Sequence, residues 1–585
     1  MSFNQYFQSE LLALKELGQD FSRKNPALAP FLSQDGRDPD VERLFEGFAF
    51  ISGRLRQKLD DELPELSHSL LQLLWPNYLR PVPSFGMLEF KPVHQANQIP
   101  VVPKGACMSS TAGKSANGQF QTCFDTALQP LQIEGVSFYP QGDAGVIQLE
   151  LTPIADVSIA DLFLSSLRLH FAGERAVTTS LYFSLLQLTQ RVLLLLKDEQ
   201  GQVLEQLTLD HSQIRPVGFS KDERLLDYPL NCFDGYVLLQ EYFSFPQKFL
   251  FVEVGGLSML QFCKQQAQAR SIELQFELSR TPMMHFQPKK ENVHLYCSPV
   301  ANVFNTHAIP IRYDQRQTEY KVIPADIGMD TSSIISINTV TGWLPGNIGM
   351  REFNQFESFR NHDCDDGNAY FRARYKPGIG NHGTETWLSF NNTQAGEQMA
   401  ETISVDLTCC DHSLAHHINV GDITVAGDGM PQFASFRNIT PLSATYPPSM
   451  SGDILWRIIS NMSLNYQSLA DVQALRVVLE TYDFPGFYDD KKARRTRKML
   501  DGIKRITQKA GDRIWQGLPV RGMRTEIEMD VSHFLCEGDM FLFAAILNEF
   551  FCSFTSLNTF HQLQVKSSDG VIYSWAPRMG QQVLS

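Results

Sequence analysis

Leu66-Ser-His-Ser-Leu70-Leu-Gln-Leu73-Leu74-Trp75-Pro76-Asn-Tyr-Leu-Arg80-Pro81-Val-Pro83-Ser84 is the stretch in which the chain changes its period. Up to Leu74 the leucines recur every three or four positions, the repeat of one helix face. Trp75-Pro76 and the cluster Pro81-Val82-Pro83 then break the helix. Beyond Ser84 apolar residues alternate instead. Ile147, Leu149 and Leu151 are separated by Gln148 and Glu150, and Ile272, Leu274, Phe276 and Leu278 by Glu273, Gln275 and Glu277. Alternation of this kind marks half-buried strands of antiparallel type. The fold class that follows is α+β and multidomain: an N-terminal helical segment, strand-rich mixed domains, and an α/β C-terminal region. The breaks in composition divide it into 1–83, 84–290, 291–445 and 446–585.

Upstream of that stretch two more helices are expected. Phe7, Leu11, Leu14, Gly18 and Phe21 share one narrow stripe, closed by Asn25-Pro26. Asp38-Pro39 opens the next helix, because Asp caps free N–H groups and Pro loses nothing at the first helical position. Its stripe is Val41, Leu44, Phe48, Ile51, Leu55 and Leu59, with Arg43, Glu46, Arg54 and Lys58 on other faces. Such stripes need a partner surface. Downstream, Leu167 to Phe171 reads as a strand, Thr178 to Leu188 as a helix, and Val192 to Leu196 as a strand turned into Val203 to Leu209. The later pattern predicts helices over Trp456–Leu469 and Leu500–Gln508, a strand over Arg524–Val531 and a buried helix over Met540–Phe551.

Composition narrows the function. The chain has 585 residues, 43% hydrophobic and 19% charged, enough for several packed cores and no case for general disorder. Fifty Lys and Arg against 64 Asp and Glu leave a net charge of −14, which argues against a surface built as a whole for nucleic acid or anionic lipid. The start MSFNQYFQSE lacks the basic and apolar regions of a secretory signal, so cytosolic residence is expected. No apolar run approaches the ~20 residues of a membrane span. Ten cysteines in a reducing compartment are expected as free thiols.

The motifs that carry chemistry are few. Gly378-Ile-Gly380-Asn-His-Gly383 matches a phosphate-binding fingerprint, but Thr384 to Phe390 after it reads as a strand where a helix is required, so a hairpin loop is expected. GxxxxGK[ST], HExxH and GxSxG sequences are absent. Cys409-Cys410-Asp411-His412 with His416-His417 is the densest set of metal-ligand types, yet neighbouring cysteines on a strand face opposite ways and the spacing lacks two separated pairs. Buried thiols and loop histidines are the alternative. Asn361-His-Asp363-Cys-Asp365-Asp366-Gly367 lacks the terminal Glu of a calcium hand and reads as a solvated turn. Between Asp489 and Arg513 ten Lys and Arg meet four Asp, with Lys491-Lys-Ala-Arg494-Arg495-Thr-Arg497-Lys498 the sharpest run. Without interleaved aromatic residues it offers no stacking platform, so protein contact through Arg494, Arg495 and Arg497 is favoured over nucleic acid.

Longer blocks carry a resemblance. They are Asp38-Pro-Asp-Val-Glu-Arg-Leu-Phe-Glu-Gly-Phe-Ala-Phe50, Lys58-Leu-Asp-Asp-Glu-Leu-Pro-Glu-Leu66 and Leu74-Trp-Pro-Asn-Tyr-Leu-Arg-Pro-Val-Pro-Ser84. Gly218-Phe219, Leu225-Leu226, Leu239-Gln-Glu-Tyr-Phe-Ser-Phe-Pro-Gln-Lys-Phe-Leu-Phe251 and Cys297-Ser-Pro-Val-Ala-Asn-Val-Phe304 follow. Trp456-Arg-Ile-Ile-Ser-Asn-Met-Ser-Leu-Asn465 and Phe541-Leu-Phe, with Phe550 and Asn558, lie near the end. In this order, nearly end to end, the sequence resembles the TssF family, also called VasA or ImpG, of the type VI secretion baseplate. Leu407-Thr-Cys-Cys-Asp-His-Ser-Leu414 departs from the family pattern, which puts in doubt any contact made there by the family's Asn and Arg.

The resemblance implies a non-enzymatic structural subunit of a contractile injection machine, with no cofactor and no metal. Its implied partners are TssG, a second TssF copy, TssK, TssE and the VgrG spike, in a baseplate docked on the inner-membrane complex, with neither nucleic acid binding nor membrane insertion. The interface residues expected are Phe7, Leu11, Leu14, Val41, Leu44, Phe48, Ile51 and Leu55 in a shared helical bundle, with Arg494, Arg495 and Arg497 on the basic run. The alternative is a metal-dependent or nucleic-acid-processing enzyme built on Cys409 to His417 or on Lys491 to Lys498.

Overall fold

The computed structural model describes most of the chain from residue 64 to residue 580, and in the N-terminal region residues 7, 11, 14, 43, 44 and 46–54. Outside the described residues lie 55–63, 93–99, 111–117, 155–156, 230–231, 283–286, 326–331, 344–348, 357–368, 378–383, 393–400, 431–433, 451, 463–468, 516 and 581–585. The glycine motif 378–383 and the turn 361–367 fall there, as do Gly18, Phe21, Val41, Leu55 and Leu59 of the expected stripes. The chain forms two compact units. One consists of Met1–Leu73 with Met450–Ser460, the other of Leu74–Ser449 with Asn461–Ser585.

The labelled helices are α1 Pro64–Leu74, α2 Arg175–Phe183, α3 Asp234–Ser244, α4 Gly452–Met462, α5 Val472–Thr481, α6 Phe484–Tyr488, α7 Asp490–Asp501 and α8 Glu537–Ser553. α1 ends at the Trp75-Pro76 break, as the period change requires. In the first unit the described helix 46–54 buries Ala49 and Gly53, four residues apart, and carries larger side chains elsewhere.

The second unit is strand-rich and mostly antiparallel, which makes the mixed α+β class plain. A six-stranded sheet runs Ile423–Ala426, Cys107–Ser110, Gln119–Thr122, Cys297–Ala301, Phe85–Pro92, Ala434–Asn438. It draws strands from both sides of residue 290. A five-stranded sheet places Leu194, Leu274 and Leu149 side by side in its middle, all buried, which is why these strands read as alternating or continuous apolar runs. A four-stranded sheet joins Leu167–Phe171 to Phe251–Val254. The sheet built on Ser332–Trp343 and Glu401–Asp411 has its own core, in which Val340, Leu388, Ile403, Val405 and Leu407 are fully covered.

The C-terminal sheet holds a long hairpin, Ile503–Trp515 with Leu518–Met529, and a strand Phe560–Ser567 parallel to the second arm. α8 is the crossover between the two parallel strands. It is buried on nearly every side, from Met540 to Phe551, between α2, α3 and the sheet. The sequence expectation of a helix over Leu500–Gln508 fails here. α7 stops at Asp501 because the Arg476 side chain takes the carbonyls of Leu500 (3.1 Å) and Ile503 (2.8 Å), and strand pairing to Met529 begins at Ile503. Tertiary pairing overrides a weak local helical pattern.

Two buried histidines set an acid limit on this unit. His170 lies against Phe251 (ring centroids 4.4 Å) and burial holds it down to about 3, against an ordinary 6.5. His561, beside Thr525 (3.1 Å) and Cys552 (3.5 Å), is likewise lowered to about 4 by burial. Below pH 6.5 the unfolded chain takes up protons that the folded chain refuses. Stability is therefore complete above 6.5 and falls as pH drops toward 4. At pH 5 each site costs about 2 kcal/mol. Thermal melts from pH 7 to 5 are expected to show this fall, with a shallower slope in His170→Leu; a flat profile in the wild type contradicts it.

Candidate assembly surfaces

The family-like blocks become structural hubs. Trp75 packs against Tyr482 (4.8 Å) and Tyr236 (5.6 Å), and Tyr236 stacks on Tyr482 at 4.6 Å and 19°. Tyr78 meets Phe484 at 5.0 Å, so the Trp-Pro-Asn-Tyr block and the α5–α6 corner form one aromatic knot. Tyr236 Oη donates to the Asn461 carbonyl (2.8 Å). Asn302 is fully buried; its amide donates to the Gln119 carbonyl (2.8 Å) and its oxygen accepts from the Asp411 amide (2.7 Å). In the Leu239–Phe251 block, Lys248 and Glu241 form an ion pair whose side chains are 1% and 2% exposed. The second Glu241 oxygen accepts from the Leu225 amide (2.7 Å). These residues hold elements together that are remote in sequence.

The clusters of cysteine, histidine and acidic side chains take part in local packing and hydrogen bonding. Cys409 and Cys410 lie on Glu401–Asp411, both fully buried, and burial pushes the Cys409 thiol up to about 12 and Cys410 higher still. Asp411 is used locally, accepting from the amide (2.8 Å) and hydroxyl (2.7 Å) of Ser413. His412 approaches the Ser333 hydroxyl at 3.4 Å. Cys552 beside His561 does not form a thiolate–imidazolium pair. Burial raises the thiol to about 12 and lowers the imidazole to about 4, so both are neutral near pH 7.

The expected interface residues of the N-terminal helices divide into three groups. Phe7, Leu11 and Leu14 are helical and half-buried. Leu44, Phe48 and Ile51 stand 71%, 64% and 61% exposed, pointing away from the buried Ala49 and Gly53 of the same helix. Val41 and Leu55 lie outside the described residues. The basic run is α7 itself, capped by Asp489, whose carboxylate accepts from the Lys491 (2.9 Å) and Lys492 (3.4 Å) amides. Its buried face is Thr496, Met499 and Leu500. Arg494, Arg495 and Arg497 are exposed. Arg495 differs in its neighbours: desolvation and the like charge of Arg175 hold its guanidinium below the usual arginine range, while Asp539 and Tyr242 oppose that shift. Arg175 binds Asp539 through Nε (2.9 Å) and a terminal nitrogen (2.8 Å). Sequence spacing alone gave no sign that Arg495 belongs to this knot.

Residues 1–582 match the family described as "Type VI secretion system, TssF". The type VI secretion system component TssF1 of Pseudomonas aeruginosa is 25% identical over 98% of both chains. A chain of the TssK-TssF-TssG baseplate subcomplex, solved by cryo-electron microscopy, superposes with a TM-score of 0.73 at 28% identity, covering 92% of this chain and 99% of that one. A chain of the baseplate complex from the type VI secretion system shares the fold along its whole length, with a TM-score of 0.60 at 23% identity. By sequence along residues 1–582, and by fold, the chain belongs to the TssF family, a component of the type VI secretion baseplate.

Proposed function

We propose that this chain is a non-enzymatic wedge subunit that binds TssG, TssK and a second copy of itself, and through them meets TssE and VgrG on the cytoplasmic side of the inner membrane, where the baseplate docks on the membrane complex. Sheath assembly and effector delivery depend on that wedge. The observation that supports it most directly is the exposed row Leu44, Phe48 and Ile51 on a helix whose own packing uses Ala49 and Gly53. Three large apolar side chains on one exposed face are the mark of an interface. The TssF chain to which this one is similar comes from a complex with TssK and TssG. Among the described residues no helix is long and apolar enough to cross a membrane.

Co-expression of the tagged chain with TssG and TssK from the same genome tests the reading. A single complex on size exclusion is expected; three separately eluting proteins overturn it. The basic face of α7 adds a second contact in this reading. Arg494→Glu with Arg497→Glu is expected to leave the thermal transition unchanged and to slow association, most strongly at low salt, because exposed charges contribute little to stability and more to encounter. Arg495 is left intact in that variant because of its place beside Arg175 and Asp539. DNA binding lost with association unchanged counts against a protein contact.

A further inference from the structure

Residues 304–411 are set into the middle of another sheet. The chain leaves the six-stranded sheet after Cys297–Ala301, forms the strands from Phe304–His307 to Glu401–Asp411, and returns to the same sheet at Ile423–Ala426. The inserted strands lie in the order Phe304–His307, Glu401–Asp411, Ser332–Trp343, Met350–Gln355, Ala369–Pro377, Thr384–Asn392, Tyr320–Lys321. The chain just past the last of these bonds back to the first. Ala308 bridges Pro324, the Ile309 amide donates to the Ile323 carbonyl (2.8 Å), and the Ala325 amide donates to the His307 carbonyl (2.9 Å). The sheet therefore closes into a barrel, and closure of this kind satisfies both outer strands from within.

What holds the barrel together lies inside it. Tyr313, Phe353, Leu388, Ile403, Val405 and Leu407 share its core. Phe353 and Tyr313 meet Phe390 at 5.3 and 5.2 Å, and Lys321 pairs with Glu385 (2.8 Å), Arg374 with Glu319 (2.6 Å) and Arg351 with Glu401. The join to the rest of the chain is concentrated at one place, beside the strand Gln119–Thr122, against which Phe304–His307 lies. Asn302, fully buried on the outgoing connection, binds both sides of that join. Its backbone N–H donates to the Ser84 carbonyl (2.9 Å) and its side-chain amide to the Gln119 carbonyl (2.8 Å), while its side-chain oxygen accepts from the Asp411 amide (2.7 Å) at the end of the barrel's long strand. On the return connection Leu414 and Ile418 are buried over Gly118, where a Cβ would come within 3.1 Å of each.

We propose that residues 304–411 are a pivoting module and that Asn302 is the latch that fixes its angle. Two chain crossings at one place define a hinge, and a barrel with its own core moves about a hinge as one body. Val303 and the turn Asp411–Ser413, in which the Asp411 carboxylate accepts from the Ser413 amide (2.8 Å), are the short segments that take up the motion. Swinging the barrel parts the Asp411 amide from Asn302 before it disturbs the barrel core, so one buried side chain holds the closed angle. The device needs no partner chain and is independent of the wedge reading.

Spin labels in the full chain test it, one at Arg312 on the barrel and one at Glu134 on the five-stranded sheet, both exposed, introduced through a ketone-bearing amino acid so that the native cysteines stay unlabelled. The wild type is expected to give one narrow distance peak by double electron–electron resonance. Asn302→Ala removes the shared partner of the Gln119 carbonyl and the Asp411 amide, and is expected to broaden that peak or add a second. Gly118→Val pushes on Leu414 and Ile418 without altering Asn302; it is expected to act in the same direction and carries the test if Asn302→Ala fails to fold. Hydrogen exchange separates a hinge from general loosening, because the amides of Ile403, Val405 and Leu407 should keep wild-type protection in the broadened variants. A broad distribution in the wild type, an unchanged peak in folded Asn302→Ala (or in Gly118→Val where the first does not fold), or loss of barrel protection alongside the broadening overturns the latch. Assembly with TssG and TssK is a separate measurement, so either reading can fail alone.

Discussion

Leu44→Asp combined with Phe48→Asp is expected to abolish co-purification with TssG while leaving the protein soluble and its thermal transition unchanged. Both side chains are largely in water in this chain, so replacing them forfeits little folding energy. In a complex the same two side chains would be covered, and each contributes roughly 1.5–3 kcal/mol when fully buried. A carboxylate in their place must also be desolvated, which adds a further penalty. Together these exceed about 4 kcal/mol, close to a thousandfold in affinity at ~1.4 kcal/mol per tenfold. Pull-down yield and secretion should fall together. A variant that assembles at wild-type yield shows that the stripe is not the interface; one that aggregates shows that the stripe is needed within the chain.

The largest effect on stability is expected from Lys248→Ala. Its ammonium and the Glu241 carboxylate are both sealed from water, so removing one leaves the other charged and unpaired at a cost of about 3–5 kcal/mol. The Leu225 amide that Glu241 accepts lies in the loop before α3, so the damage spreads to that loop. Lys248→Met with Glu241→Leu removes both charges and should recover most of the loss, leaving the Leu225 amide as the remaining deficit. Chemical denaturation of the two variants distinguishes them. If the double variant is as unstable as the single one, packing rather than charge pairing holds this corner.

Some of this was legible in the chain. The hairpin Val192 to Leu209 and the helix Met540 to Phe551 were readable because burial on one or all sides imposes a period, and the Trp75-Pro76 break because proline cannot continue a helix. The segment after Leu500 misled because Ile503-Lys-Arg-Ile506 fits a helix stripe as well as a strand, and the deciding partner, Met529, is remote. The pairing of Lys248 with Glu241 was not legible, since burial of charge shows only when both partners are placed. Leu44, Phe48 and Ile51 were readable as a stripe, whereas the distinction between a covered and an open stripe depended on the small residues Ala49 and Gly53 behind them.

The six-stranded sheet has a consequence in time. Phe85–Pro92 pairs on one edge with Cys297–Ala301 and on the other with Ala434–Asn438, and the Met87 amide donates to Thr440, 353 residues away. Closing a loop of that length instead of one of about 20 residues costs about 2.5 kcal/mol more in chain entropy. At ~5–20 residues per second, a ribosome needs roughly 20–70 s after finishing the first strand before the last one exists. Throughout that interval a mostly apolar strand has an open edge, the kind of template on which chains aggregate. Yield of this protein should accordingly be governed by what shields residues 85–92 during synthesis, and truncation before residue 438 should leave that edge permanently bare.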